Sequence, residues 1–150
     1  MIVASVSFAR GRRLFTTASI LTLLTAIAHS IGHFAPPPTD EPTQKVLAAM
    51  GEYYVPLGLG MSPSMFQIQQ ALSLTMGITF AAFGVLGLVL AGSRDVSIAT
   101  LRRVAWVNAV WVAIAGATYA YYQIPPPLIS TALIELALVA WLVLSARRPA

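Results

Sequence analysis

The chain has no cysteine, which removes disulfides, thiolate nucleophiles and cysteine metal sites from consideration. Charge is nearly as scarce. Only 9% of the 150 residues are Asp, Glu, Lys or Arg, against roughly 25% in a soluble domain. So few charged groups cannot cover a water-exposed surface. No phosphate-binding loop, nucleophile elbow or dinucleotide fingerprint is present either. What is abundant is apolar: 57% of the residues are hydrophobic, and the mean hydropathy is +0.77. The length fits one domain, residues 1–150, with no shift in composition along it. A net charge of +4 would suit a nucleic-acid partner. Placement argues against one, because the arginines stand in short clusters between apolar runs, where they set membrane orientation.

Four apolar runs are long enough to cross a hydrocarbon core, at residues 14–34, 66–91, 101–122 and 126–145. The fold expected is therefore all-α: an integral membrane bundle of four transmembrane helices. Arg10, Arg12 and Arg13 precede the first run, Arg94, Arg102 and Arg103 separate the second from the third, and Arg147 and Arg148 follow the fourth. With four spans all of them fall on one side, opposite Lys45, Asp40, Glu41 and Glu52. The positive-inside rule then places both termini in the cytoplasm of a bacterial inner membrane. Tyr53, Tyr54, Tyr119, Tyr121 and Tyr122 would lie near the outer interface, where amphipathic rings settle. A second reading stays open: the arginines, the apolar run and Ala26-Ile27-Ala28 imitate a cleavable secretory signal. Cleavage would leave three spans starting from His29, whereas the full spanning length of 14–34 favours a retained helix.

A long outer loop, residues 35–65, joins the first two spans. Pro36-Pro37-Pro38 ends the first helix, since proline lacks an amide donor and disfavours helix before it. Thr39 or Asp40 is placed to cap a short helix over 41–50, with Pro42 in its first turn and Gly51 at its end. The apolar residues that follow suit a segment lying over the bundle mouth or in the membrane interface. Pro125-Pro126-Pro127 marks a tight outer turn between the third and fourth spans.

Helices in lipid pack through small residues and polar contacts. Stripes at three- and four-residue steps run through Ala18, Thr22, Ala26, His29 and His33, through Gln70, Leu74, Gly77, Ala81 and Gly84, and through Ala109, Ala113, Gly116 and Ala120. The histidines and Gln70 thus share the faces expected to point inward.

Ionisable groups inside a span are costly and mark candidate sites. The candidates are His29 and His33 in the first span and Glu135 in the fourth. His29 lies about 8 Å and Glu135 about 13 Å from the outer ends of their spans, at the helical rise, so the two can meet if their helices adjoin. Gln67, Gln70, Tyr119 and Tyr122 lie near the same level and complete a candidate ligand site. Catalysis there would be acid–base chemistry by Glu135 and His29. The i, i+4 spacing of His29 and His33 also suits a metal or haem if one is present, although Ser30 stands where a zincin has glutamate. The structural readings are equally concrete: histidines that pack and hydrogen-bond, glutamines that tie helices, and Thr131 as a partner for Glu135. Asn108, alone in the inner half, is expected to make an interhelical hydrogen bond.

The segment His29–Phe34, followed by Val46-Leu47-Ala48-Ala49-Met50, resembles the LIC_13387-like family of small, uncharacterised bacterial four-span membrane proteins. Its members carry a Gly-His-Thr-Ile/Leu-Gly-His segment in the first span and an Ala-Met segment in the outer loop. Here Ala28 stands for the first glycine and Ser30 for the threonine, while Gly32 and His33 match. The resemblance covers the first half of the chain; it implies the four-span topology and draws attention to the histidines, without naming a reaction. Three readings follow: a bundle binding a hydrophobic small molecule beneath the long loop, a membrane-embedded enzyme, or a scaffold for a membrane partner or a second copy of itself. The cofactor, if any, is not specified.

Overall fold

The computed structural model describes residues 2–146, with side chains from Arg12 onward. Arg147 and Arg148 lie outside the described residues, as does the side chain of Arg10. Five helices, α1 (Ile2–Phe34), α2 (Glu41–Glu52), α3 (Met65–Gly92), α4 (Ile98–Tyr121) and α5 (Pro125–Ala146), account for all the regular secondary structure among them. Four are long and apolar enough to cross a membrane: α1 from Arg12 onward, α3, α4 and α5, with 23, 28, 24 and 22 residues. At about 1.5 Å per residue each exceeds the roughly 30 Å of a bilayer core. α1 extends back to Ile2, well before the apolar run begins at Leu14.

Local chemistry sets the ends of these helices. Asp40, not Thr39, caps α2: its Oδ1 accepts from the Thr43 amide at 2.9 Å. That bond holds the Asp40 carboxyl below its ordinary pKa by favouring the ionised form. α2 continues through Gly51 to Glu52, two residues past the expected end. Lys45 pairs with Glu41 one turn earlier at 2.7 Å, an exposed contact of small consequence. Ser97 caps α4 by accepting from the Thr100 amide. The prolines after α4 do not form the turn itself. α4 closes with Gln123 at φ 54°, while Ile124 N–H donates to Tyr119 O and Gln123 N–H to Ala120 O. Pro125, Pro126 and Pro127 then form the first turn of α5, where a helix has no use for their missing N–H groups.

The chain divides into two compact units, 1–25 with 80–150, and 26–79. In the first, α4 packs along α5. Its buried face is Leu101, Ala105, Ala109, Val112 and Tyr119, and that of α5 is Thr131, Ile134, Leu138, Trp141, Leu142 and Ser145. Gly116 admits Thr131 closely, since an added Cβ would lie 3.3 Å from its Oγ1. Phe15 meets Trp141 with centroids 5.4 Å apart, and Trp111 lies between Phe80 and Phe83. Gly84 lets the backbone of Leu23 approach, and Gly87 admits the side chain of Ser19. The guanidinium of Arg12 donates to Ser93 O at 2.8 Å and Val96 O at 2.7 Å, and to Ala91 O at 3.2 Å. It thereby satisfies carbonyls at and beyond the C-terminus of α3, the negative end of the helix dipole.

The first stripe holds: Ala18, Thr22 and Ala26 are buried, and His29 and His33 half-buried. In the second, Gly77 and Gly84 are buried but Leu74 is exposed. The third diverges after Ala109. Val112 and Tyr119 are buried, whereas Ala113 and Ala120 are exposed. One residue is about 100° of helix rotation, and the large side chains, rather than the alanines, fix the α4 interface.

Candidate functional site

The second unit, 26–79, contains the last turns of α1, all of α2, the loop after it, and the first half of α3. Beyond α2 the loop folds back on itself. Val55 N–H donates to Pro63 O, Leu57 N–H to Met61 O, and Met65 N–H to Tyr53 O. Gly58, Leu59 and Gly60 all take positive φ at the tip. Ser64 and Gln67 start α3 with a reciprocal cap: Ser64 N–H donates to Gln67 Oε1, and Gln67 N–H to Ser64 Oγ. Gln67 therefore serves a helix end.

Between these elements lies a pocket of about 570 Å3. Its walls are apolar, from Ala35, Pro36, Pro37, Pro38, Leu47 and Phe66. Its polar lining is His29, His33, Gln69, Gln70 and Ser73. The structure thus brings together three of the residues expected at the site, His29, His33 and Gln70. Glu135, Tyr119 and Tyr122 belong to the other unit. There Tyr119 is buried and Tyr122 is exposed. One carboxylate oxygen of Glu135, Oε2, is buried without a hydrogen-bond partner. Thr131 does not serve it, because its hydroxyl donates to Pro127 O and Leu128 O.

Ser73 organises the two imidazoles. His29 Nε2 lies 2.8 Å from the Ser73 carbonyl oxygen and 3.2 Å from its hydroxyl. His33 Nδ1 lies 3.0 Å from the same hydroxyl. A carbonyl only accepts, so His29 Nε2 carries the proton and donates. Between the Ser73 hydroxyl and His33 Nδ1 either atom can donate, according to the tautomer of His33. Ser30, Thr75 and Thr79 instead donate to the carbonyl four residues back. Ser73 thus engages Nε2 of His29 and Nδ1 of His33, and leaves His29 Nδ1 and His33 Nε2 for other contacts.

Gly77 makes this geometry possible. An added Cβ would lie 3.3 Å from His29 Cδ2, so the ring rests on bare backbone one turn beyond Ser73. The sequence reading missed Ser73: from Gln70 to Gly77 the face can advance by three residues to Ser73 or by four to Leu74, and residue type alone does not choose. For a metal, the imidazoles lack company. Among the described residues, no group of three or more His, Cys, Asp or Glu side chains converges, whereas a structural zinc takes four ligands. No protein-family model, curated protein or solved structure matches the chain.

Proposed function

We propose that this chain is a multi-pass membrane protein, a four-helix bundle with both termini on the arginine-rich cytoplasmic side of a bacterial inner membrane. In this reading the pocket of residues 29–73 opens towards the outer leaflet and binds a lipid-soluble molecule. The observation that carries it is the pairing of apolar walls with a fixed polar floor. Two imidazoles held on Ser73, with Gln69 and Gln70 beside them, orient a head group, while Leu47, Phe66 and the prolines enclose its apolar part. The ring nitrogens not engaged by Ser73, His29 Nδ1 and His33 Nε2, suit a head bearing a carbonyl or hydroxyl.

Native mass spectrometry of detergent-purified protein, followed by extraction of bound small molecules, tests this. A small apolar molecule is expected from wild type and lost from His33→Ala. It should also be lost from Leu47→Trp, which fills the pocket and leaves the histidine bonds intact. Retention in Leu47→Trp, or nothing bound to wild type, would leave the histidines a purely structural clamp.

A further inference from the structure

The fold-back over residues 53–65 carries apolar side chains that the rest of the chain leaves bare. Tyr53, Tyr54, Leu57 and Met61 are each more than half exposed, and Leu59 at the tip is 97% exposed. Two places suit this segment, over the bundle mouth or in the membrane interface. A roof over the mouth would bury its apolar side chains against what it covers, and these are not buried. α2, the preceding element, buries none of its own residues and offers no cover.

What covers them follows from where the segment is attached and how its backbone is bonded. The amide of Met65, the first residue of α3, donates to Tyr53 O at 2.8 Å and closes the fold-back onto the end of a spanning helix. No Asp, Glu, Lys or Arg occurs from Tyr53 to Ser93, so tip, base and span form one uncharged stretch. The backbone is prepared for a medium poor in water, where unpaired amides are costly. Val55, Leu57, Met61 and Met65 all donate their amides within the segment, and Pro56 and Pro63 have none to leave bare. Tyr53 and Tyr54 stand at the base, and tyrosine is a ring that settles at the membrane surface. Leu59 takes φ 52°, a conformation that glycine or asparagine adopts at less steric cost. A bare leucine there serves neither folding nor solubility in water, and lipid contact accounts for it. At roughly 3.3 Å per residue the tip reaches at most about 20 Å from Met65, far enough to lie along the membrane surface beside the helix.

We propose that residues 53–65 are an interfacial anchor, lying in the leaflet opposite the arginine-rich side with Leu57, Leu59 and Met61 among the acyl chains near the head groups. Its partner is the lipid surface itself. The proposal rests on the membrane-spanning reading but not on the histidine pocket.

The test uses single cysteines in the full chain, which has none of its own, each labelled with an environment-sensitive NBD fluorophore in phosphatidylcholine nanodiscs. Leu59→Cys reports the tip, Lys45→Cys an exposed polar position on α2, and Leu72→Cys an exposed position within the span of α3. The Leu59 probe is expected to emit to the blue of the Lys45 probe and to resist quenching by iodide. Phosphatidylcholine carrying a spin label on its chain should quench it, as it should the Leu72 probe. Leu59→Asn, which suits a positive φ, should leave the fold intact and restore iodide quenching to a probe at Met61. A Leu59 probe as open to iodide as the Lys45 probe would overturn the anchor. So would one shielded from iodide and spin label alike, since its cover would then be protein. A Leu72 probe that spin-labelled lipid fails to quench would overturn the spanning reading beneath it.

Discussion

At the scale of single residues, the smallest ones are the most informative. Gly84 faces the backbone of Leu23, where an added Cβ would fall 2.9 Å from N and 3.1 Å from Cα. Gly77 faces the edge of His29 at 3.3 Å, and Gly32 faces open space within the pocket lining. Alanine substitutions should therefore rank by what must move. Gly84→Ala forces backbone apart and should destabilise by about 1–3 kcal/mol. Gly77→Ala displaces a ring and loosens the His29–Ser73 bond, a contact of about 0.6 kcal/mol on the average for membrane helices. Gly32→Ala should be neutral or slightly stabilising, because alanine favours helix. Denaturation in mixed micelles measures the order; a Gly77→Ala cost equal to that of Gly84→Ala would contradict the ring contact. The histidines were legible in the sequence by type and spacing. Ser73, which holds them, was not, because serine is common in apolar helices and its value here lies in the partner it meets.

At the scale of elements, ends were easier to foresee than faces. Caps depend on a few neighbouring residues, so Asp40, Pro42 and the start of α2 follow from the chain itself. Arg12 is different. Its sequence neighbourhood makes it one orientation charge among several, while the fold makes it the cap of α3, 79–84 residues away. Arg12→Gln should therefore lower the stability of the first unit by about 2 kcal/mol, since carbonyls lose a charged donor. Arg13→Gln removes the same charge from an exposed position and should leave stability within about 0.5 kcal/mol. Equal effects in a thermal or denaturant melt would mean that charge, not the cap, is what matters. The face of α4 was misjudged for a related reason. Small residues mark where helices can approach, but Leu101, Val112 and Tyr119 decide which side is buried.

At the scale of the whole molecule, the four apolar helices present large side chains outward throughout. Ile31, Leu72, Val107 and Leu136 are each more than 60% exposed, an arrangement that water would punish and lipid favours. The absence of cysteine makes the topology directly testable. Single cysteines can be introduced into a background that reacts with no thiol reagent. With both termini inside, Lys45→Cys in α2 should label with a membrane-impermeant maleimide in intact spheroplasts. Arg94→Cys, between α3 and α4, should label only after permeabilisation. The reverse pattern would invert the molecule, and labelling of both positions would rule out four spans.

The sequence by itself determined the class of environment, the number and rough limits of the long helices, and the two histidines on one face. Composition and periodicity are properties of the chain, and the hydrocarbon core admits few ways of satisfying a backbone. Only the tertiary structure decided that Ser73 joins the histidines and that Gln67 caps a helix. The same is true of Arg12 closing α3 and of Asn108, which does not make the expected interhelical hydrogen bond among the described residues. Each of these depends on which residue from a distant segment arrives opposite, and a polar side chain in an apolar helix takes its meaning from that partner.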